Sequence, residues 1–296
     1  MAPLFFLEQL LNGISVGAVY ALFAVGFGIV FSTMQILNLA QGVYATYGAI
    51  ITYFVLKSAG MPFIVAVIVG VMGSGLVAVF VDQVAFEPLR RRGVELLGAV
   101  IASIGMWIGL REIASMATDA TPVGFPPGSF PRGMVSLGGV SILGTQLLAI
   151  ICAVVVITAV YVLLHRTRVG SAIRAVGYEK HSAEIAGINP RTMIISAAML
   201  SGAVTGLAGI LLAGGQTFNF TLGDGLLLQG FAAVVIGGMG DVRGAALGGV
   251  LIGVIQTMSA SYISTSFQDA ITFGLVLVVL LWLPRGLLGS TNVVRA

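Results

Sequence analysis

Few side chains in this 296-residue sequence are of the types that perform catalysis, and their spacing fits no catalytic motif. The two histidines, His165 and His181, lack the His-Glu-x-x-His spacing of a zinc protease, and no Gly-x-Ser-x-Gly nucleophile motif occurs. A phosphate-binding loop places a lysine directly after a glycine, and neither Lys57 nor Lys180 follows one. The sequence therefore predicts no enzyme, no metal site and no nucleotide site of its own.

A second set of side chains suits hydrogen bonding to a solute, because these polar but uncharged residues interrupt otherwise apolar segments. Asn38 and Gln41 lie three residues apart, and we expect them on one helical face with Gln35 and Tyr44. Further candidates of the same kind are Ser103, Thr217, Asn219 and Gln229. Such groups could line a path for a solute, or they could cap helices and bond neighbouring helices.

Glycines carry two further signals. A glycine-rich break at Gly237–Gly240 would leave helix ends, and at Gly237 and Gly238 their backbone dipoles could attract a carboxylate or an ammonium group. Glycines at four-residue spacing predict close approach of helix backbones, either within the chain or between chains. These are Gly13 and Gly17, Gly202 and Gly206, Gly240, Gly244 and Gly248, and Gly249 and Gly253.

Composition defines the elements that must position these residues. The chain is 58% hydrophobic and 8% charged, whereas a soluble domain has about 25% charged residues. About 20 apolar residues are needed for each membrane crossing, so we predict an all-α, polytopic transmembrane bundle with eight or nine spans and one domain over residues 1–296. The predicted spans cover about 10–33, a second to 56, 62–81, 96–116, 146–164, 192–214, 224–239, 245–263 and 269–283.

Most charges in the predicted spans lie near their ends. Asp82 opens a predicted charged loop over 82–95, Asp224 is expected to cap a helix, and Arg111 with Glu112 and Asp269 are expected at membrane interfaces. An ion-coupled transporter commonly needs ionisable groups deeper inside the membrane. Anchoring at the interface is therefore the interpretation of these charges, and ion coupling lacks its usual residues.

Lysine and arginine counts predict the orientation. The loops at 82–95, 165–191 and 241–243 and the tail after 284 hold 3, 5, 1 and 2 of them, whereas the alternate side holds Lys57 and Arg132. By the positive-inside rule the first group is cytoplasmic, which gives a cytoplasmic C-terminus and a periplasmic N-terminus in a bacterial inner membrane. The Pro- and Gly-rich segment 117–144 is then periplasmic, and we expect turns and a small hairpin there.

The polar loop 165–191 can form secondary structure of its own. Residues 171–186 mix apolar and charged side chains in numbers that suit one or two short surface helices. Gly187 can end such a helix, and Asn189 before Pro190 can cap the next span. Two interpretations stay open: a projecting helix that a partner's groove grips, or a solvated basic loop that sets topology.

Three segments resemble one known family. They are "NGISVGAVYALFAVGFGIVFSTMQILNLAQGVYATYGA" at 12–49, "GSAIRAVGYEKHSAEIAGIN" at 170–189 and "AAVVIGGMGDVRGAALGGVLIG" at 232–253. In this order and in a chain of this length they resemble the permease subunits of branched-chain amino acid ABC transporters of the LivH type. Importers of urea, amides and aromatic acids are similar, so the family is better indicated than the solute.

The resemblance implies an importer of branched-chain or other neutral amino acids. Its partners would be a second, LivM-type permease, two cytoplasmic ATPase subunits that hold ATP and Mg²⁺, and a periplasmic substrate-binding protein facing 117–144. This chain would bind no cofactor and no nucleic acid. An ion-coupled secondary transporter or a channel subunit is the rival class, and either would work without an ATPase.

The resemblance also implies a role for the polar loop. Residues 170–189 would hold the coupling helix that docks in an ATPase cleft, with Glu184, Ala186 and Gly187 at the acidic, alanine and glycine positions of the motif. The full set of expected coupling residues is Gly170, Arg174, Glu179, Glu184, Ala186, Gly187 and Asn189.

Overall fold

A computed structural model describes residues 2–93, 96–131, 133–137, 140–283 and 286–288. Its helices are α1 (Ala2–Met34), α2 (Gln41–Ala59), α3 (Phe63–Val81), α4 (Glu87–Arg91), α5 (Leu96–Ala117), α6 (Gly144–Arg166), α7 (Arg168–Tyr178), α8 (Lys180–Ile185), α9 (Pro190–Ala213), α10 (Leu222–Gly237), α11 (Val242–Tyr262) and α12 (Gln268–Trp282). The predicted polytopic helical bundle is confirmed.

Seven helical segments in the described part of the chain are long and apolar enough to cross a membrane. They are Leu4–Met34, Phe63–Arg91, Leu97–Ala117, Gly144–Arg166, Pro190–Ala213, Val242–Tyr262 and Thr265–Trp282. The 19-residue α2 and the 16-residue α10 fall outside this set. The protein is thus a multi-pass membrane protein, and the count of eight or nine spans stays a prediction.

The core is built around α1, whose most apolar stretch is 83% buried, more than that of any other candidate span in the described residues. Leu22, Phe23, Ala24 and Val25 are fully enclosed by neighbouring helices. α11 runs antiparallel along α1 and contacts it through glycines. A methyl group added at Gly13 would lie 2.9 Å from the Cα of Val254, and one at Gly17 would lie 2.7 Å from the Cα of Val250.

The glycine spacing of α1 therefore serves packing inside this chain. Gly249 and Gly253 of α11 face Ala21 and Gly17 of α1, so the two predicted glycine pairs pack against each other. Lipid gives no hydrophobic drive for helix association, and small residues replace it by letting backbones touch.

A second packing centre is α9, which contacts α1, α2 and α3. Ser74 of α3 donates its hydroxyl to the carbonyl oxygens of Tyr44 at 2.7 Å and of Gly202 at 2.8 Å. Gly206 leaves room for the Ser74 side chain. This hydroxyl ties three helices together at a point where their backbones are close.

The prediction of a charged loop at 82–95 is wrong for most of these residues, because 82–91 are helical. The helix of α3 continues through one π-helical turn, Asp82–Phe86, into α4 and ends at Arg91. Asp82 is buried and accepts two hydrogen bonds from the Arg90 guanidinium, at 2.7 and 3.1 Å, while Glu87 bonds Arg91 at 3.0 Å. The charges pair along one helix, so they do not need solvent and do not end it. Residues 94 and 95 lie outside the described residues.

The segment after α5 contains the predicted hairpin. β1 (Met134–Leu137) pairs antiparallel with β2 (Val140–Leu143), which leads directly into α6. Before it, Val123 and Phe218 exchange two backbone hydrogen bonds of 2.8 Å. The Phe125 ring packs against Phe218, and the Phe130 ring meets Phe63 edge to face. This end of the bundle, with the hairpin and the start of α1, is called the hairpin face; the opposite end, with α7 and α8, is called the loop face.

Candidate functional site

The loop face carries two short helices whose ends are set by side-chain caps. The hydroxyl of Thr167 accepts a hydrogen bond from the backbone N–H of Gly170 at 3.1 Å and starts α7, and Glu179 accepts from His181 at 3.1 Å and starts α8. Gly187 then turns the chain with φ +81°, which suits glycine. Asn189 accepts from the N–H groups of Arg191 and Thr192 and begins α9. The two short helices predicted from 171–186 are thus present.

One face of α7 and α8 packs on the bundle. Val176 and Ala183 are buried against Ile194 near the start of α9, together with the partly buried Met34 at the end of α1. Gly177 lies against the backbone of Ser32, so close that a side chain there would displace one of the two helices. The pair of short helices therefore rests on the ends of α1 and α9, the two packing centres of the fold.

The opposite face of the two helices projects into solvent. Tyr178 and Ile185 expose 80% and 77% of their surface, and the charged residues Glu179, Lys180 and Glu184 surround them. Large apolar side chains with a charged rim are typical of a surface that a partner covers. We call Tyr178, Glu184 and Ile185 the projecting patch.

The seven expected coupling residues divide into two groups. Four shape the loop: Gly170 fits against the backbone of Leu163 and Leu164, Arg174 donates to the carbonyl oxygen of Leu164, and Glu179 and Asn189 are helix caps. The other three, Glu184, Ala186 and Gly187, are exposed. Tyr178 and Ile185 were missed, although the sequence shows each as a large apolar residue beside a glutamate, Glu179 and Glu184.

Asn38 does not share a helical face with Gln35, Gln41 and Tyr44, and that expectation is wrong. Residues 35–40 interrupt the helices, with Gln35 at φ +53°. Asn38 is buried, and its amide oxygen accepts from the N–H of Ala40 at 3.0 Å while its amide nitrogen donates to the Tyr44 hydroxyl at 2.9 Å. A short side chain that bonds the backbone two residues on favours a turn over a helix.

Gln41 lies where α1, α2 and α9 meet. Its amide nitrogen donates to the hydroxyls of Ser201 at 2.8 Å and Thr205 at 2.6 Å, and Ser201 in turn donates to the carbonyl of Gly26 at 2.7 Å. Its amide oxygen is buried and has no hydrogen-bond partner among the described residues. Ser103 is separate from this group: it accepts from the N–H of Leu39 at 3.2 Å and donates to Val100.

Gln229 belongs to another polar group, between α1, α10, α11 and α12. Gln229 and Gln256 both donate to one carboxylate oxygen of Asp269, at 2.9 and 3.0 Å, and the Tyr20 hydroxyl donates to Gln256 at 2.6 Å. The amide oxygen of Gln229, like that of Gln41, has no partner in the described structure. Gln256 interrupts an apolar run just as Gln229 does, so the same signal could have found it.

The remaining path candidates lie near the two faces of the bundle. Thr217 is exposed on the hairpin face, and Asn219 accepts from the backbone and hydroxyl of Thr221. Gly237 and Gly238 are buried where α10 ends, as the glycine break predicted, with Gly238 at φ +105°. The carbonyls of Ile236 and Gly237 accept from the N–H groups of Leu287 and Leu288.

The candidates therefore do not form one site. Asn38, Gln41 and Ser103 are buried around the break at 35–40, and Gln229 is buried at another helix junction. Each makes hydrogen bonds within the chain. Their role along a solute path stays a prediction.

Asp224 does not cap α10 as expected, because the helix begins two residues earlier, at Leu222. The carboxylate instead bonds a charged and an aromatic side chain of α5. Arg111 lies 3.2 Å from one oxygen, and the indole N–H of Trp107 donates to the other at 3.0 Å. This ion pair joins residues 113 positions apart, so no sequence pattern could show it.

The sequence as a whole matches the family described as branched-chain amino acid transport system / permease component, over residues 9–280. The chain belongs to this family. Among relatives of this permease family, LivH of Salmonella typhimurium, a high-affinity branched-chain amino acid transport system permease protein, is 30% identical, with 98% of this chain and 97% of the relative covered. The corresponding protein BraD of Pseudomonas aeruginosa is 32% identical, with 97% of each chain covered.

These permease relatives confirm the LivH-type resemblance of the three motifs. A solved structure, PsaBC from Streptococcus pneumoniae in complex with Fab, is 12% identical, with 91% of this chain and 90% of that chain covered at a TM-score of 0.47.

Proposed function

We propose that this chain is the membrane-spanning permease subunit of an ABC importer for branched-chain or other neutral amino acids, powered by ATP that partner subunits hydrolyse. Membership of the permease family and full-length similarity to two branched-chain amino acid permeases support the class of solute. The partners are a sister permease, two ATPase subunits that hold ATP and Mg²⁺, and an extracytoplasmic binding protein.

The observation that carries the proposal is the projecting patch on a support made by α1 and α9. Tyr178 and Ile185 face outward, while Val176, Gly177 and Ala183 fix the same two helices to the bundle. A push on the outer side is therefore passed to the ends of the two helices that organise the core. Close-packed elements move as units and do not deform continuously, so such a push reorients helices.

The distribution of charge supports the orientation in which the loop face is cytoplasmic. Arg90, Arg91, Arg166, Arg168 and Arg191 lie in or beside this face, and Lys57 lies at the opposite end. With this orientation the ATPase subunits meet the projecting patch, and the binding protein meets the hairpin face.

The proposal predicts that the projecting patch is needed for energy coupling. Ile185→Asp and Glu184→Lys should each lower ATP-driven uptake at least tenfold, because the first removes the apolar contact and the second reverses a charge of the rim. Uptake of radiolabelled L-leucine is measured in proteoliposomes that contain the complete complex and the binding protein.

The matched control is Ser171→Ala, which changes an exposed residue of α7 seven positions before Tyr178 and should leave uptake within twofold of wild type. Full uptake by both patch variants would refute the coupling role of α7 and α8.

A further inference from the structure

Two ion pairs of this chain differ in accessibility. The pair of Asp82 with Arg90 has side chains that are 2% and 17% exposed, so it is enclosed by the protein. The pair of Arg111 with Asp224 has side chains that are 36% and 30% exposed, although α5 and α10 are apolar helices. Charges in such helices face lipid only at great cost, so they usually face a polar cavity or another protein. The accessible pair therefore faces either a polar cavity or another protein chain beside α5 and α10.

Aromatic groups hold both charges of this pair in place. The indole N–H of Trp107 binds one carboxylate oxygen of Asp224, and the Arg111 guanidinium binds the other. The Arg111 guanidinium also lies 5.9 Å from the ring centroid of Trp107 and 5.7 Å from that of Phe220. Asp224 lies in the first turn of α10, where the helix dipole favours a negative charge. The two opposite charges are thus presented side by side on a fixed support.

We propose that Arg111 and Asp224 bind the head group of a zwitterionic α-amino acid in transit, Arg111 taking its carboxylate and Asp224 its ammonium. This inference rests on the proposed function and names the groups that recognise the solute. A guanidinium has five N–H donors, so Arg111 can hold a second carboxylate beside Asp224. Trp107 and Phe220 supply ring faces next to the bound ammonium and the solute's apolar side chain.

The charges of this site favour a short residence time of the solute. The free pair already balances one positive and one negative charge, and the head group brings the same two charges. With the head group bound, Arg111 holds two carboxylates and Asp224 also accepts from the ammonium, so no charge is left unpaired in either state. Such a site binds weakly enough to release its solute and recognises the head group that all neutral amino acids share.

The test uses the complete complex with its binding protein in proteoliposomes and radiolabelled L-leucine as the probe. The variants are Arg111→Gln, Asp224→Asn and the double variant R111Q/D224N, which keeps the shape and the net charge of the pair. Glu112→Gln is the matched control, since it removes an exposed charge from the adjacent position of α5. Co-purification of the sister permease is measured for every variant.

We expect both single variants and the double variant to assemble normally and to lose at least tenfold in uptake, while Glu112→Gln stays within twofold of wild type. Recovery of uptake in R111Q/D224N would show a purely structural pair and overturn the inference. Loss of the sister permease from the variants would show an interface contact and overturn it too. If the wild-type complex shows no ATP-dependent uptake, the proposed function itself fails, whereas normal uptake by the double variant overturns this inference alone.

Discussion

Small residues decide how closely the central helices of this permease approach each other. Gly17 contacts the backbone of α11 at Val250, and Ser74 fits beside Gly206 with its hydroxyl bonded to two other helices. In lipid the free energy of such packing comes from van der Waals contact and hydrogen bonds, so a single added methyl group at a close contact lowers stability.

Two glycines of α1 allow this to be tested with the same substitution. A Cβ at Gly17 would lie 2.7 Å from the Cα of Val250, whereas a Cβ at Gly28 meets nothing within 4 Å. Gly17→Ala should therefore destabilise the purified protein by about 1–3 kcal/mol and lower its thermal unfolding temperature. Gly28→Ala, the control on the same helix, should leave that temperature unchanged or raise it. Equal unfolding temperatures for the two variants would contradict the packing of α1 on α11.

For single residues, the sequence alone indicated which polar side chains are buried but not which residues they hydrogen-bond. Gln41 and Gln229 stand out because they interrupt apolar runs, and both are buried at helix junctions. Their partners, Ser201 and Asp269, lie 160 and 40 positions away, and only the packed helices bring them within reach. Asn38 was placed on a helical face because the periodicity rule assumes a helix, and its own bond to Ala40 instead stabilises a turn.

Among the elements, α7 and α8 connect the outer surface of the loop face to the core. Their inner side packs on α1 and α9, and their outer side is exposed. In the proposed mechanism the contact of Gly177 in α7 with α1, which we call the seat, and the projecting patch have different functions. The patch binds the ATPase subunit, and the seat passes the motion on.

A substitution in the seat can separate these two steps. Gly177→Leu adds a side chain where α7 touches the backbone of Ser32, so it should lift α7 from α1 while it keeps every side chain of the projecting patch. The ATPase subunits should still co-purify, while ATP-driven uptake of leucine falls at least tenfold. Ser171→Leu puts the same side chain on the exposed side of α7 and should transport normally. Loss of the ATPase subunits from Gly177→Leu would contradict the division between seat and patch.

The elements themselves were largely predictable, because long apolar runs and strong capping residues are local signals. The helices of the loop 165–191, the hairpin before α6 and the break after Gly237 all followed from such signals. Two boundaries did not. The run after Asp82 looks like a charged loop, but Arg90 pairs with Asp82 about two turns earlier and Arg91 with Glu87 one turn earlier, so the helix continues. Asp224 looks like a cap, but its partners are on α5.

For the whole molecule, the proposed orientation places the loop face in the cytoplasm. The sequence has a single cysteine, Cys152, so a C152S chain offers a clean background for labelling. Ser182 of α8 and Ser266 before α12 are exposed at opposite ends of the bundle. In intact spheroplasts a membrane-impermeant thiol reagent should label C152S/S266C and not C152S/S182C, and both should react after the membrane is opened. The reverse pattern would invert the topology.

The molecule as a whole is a packed bundle with the exposed projecting patch at one end and an accessible ion pair within its apolar helices. It belongs to the family described as branched-chain amino acid transport system / permease component. In the proposed mechanism, the force that drives transport enters this chain from the ATPase subunits, through α7 and α8.

The most direct test is leucine uptake into proteoliposomes that hold this chain with its sister permease, with the ATPase subunits either present or omitted. With the ATPase subunits, ATP and the binding protein, leucine should accumulate against its gradient, and omission of the ATPase subunits should abolish accumulation even when a proton or sodium gradient is imposed. Accumulation without the ATPase subunits would contradict the account.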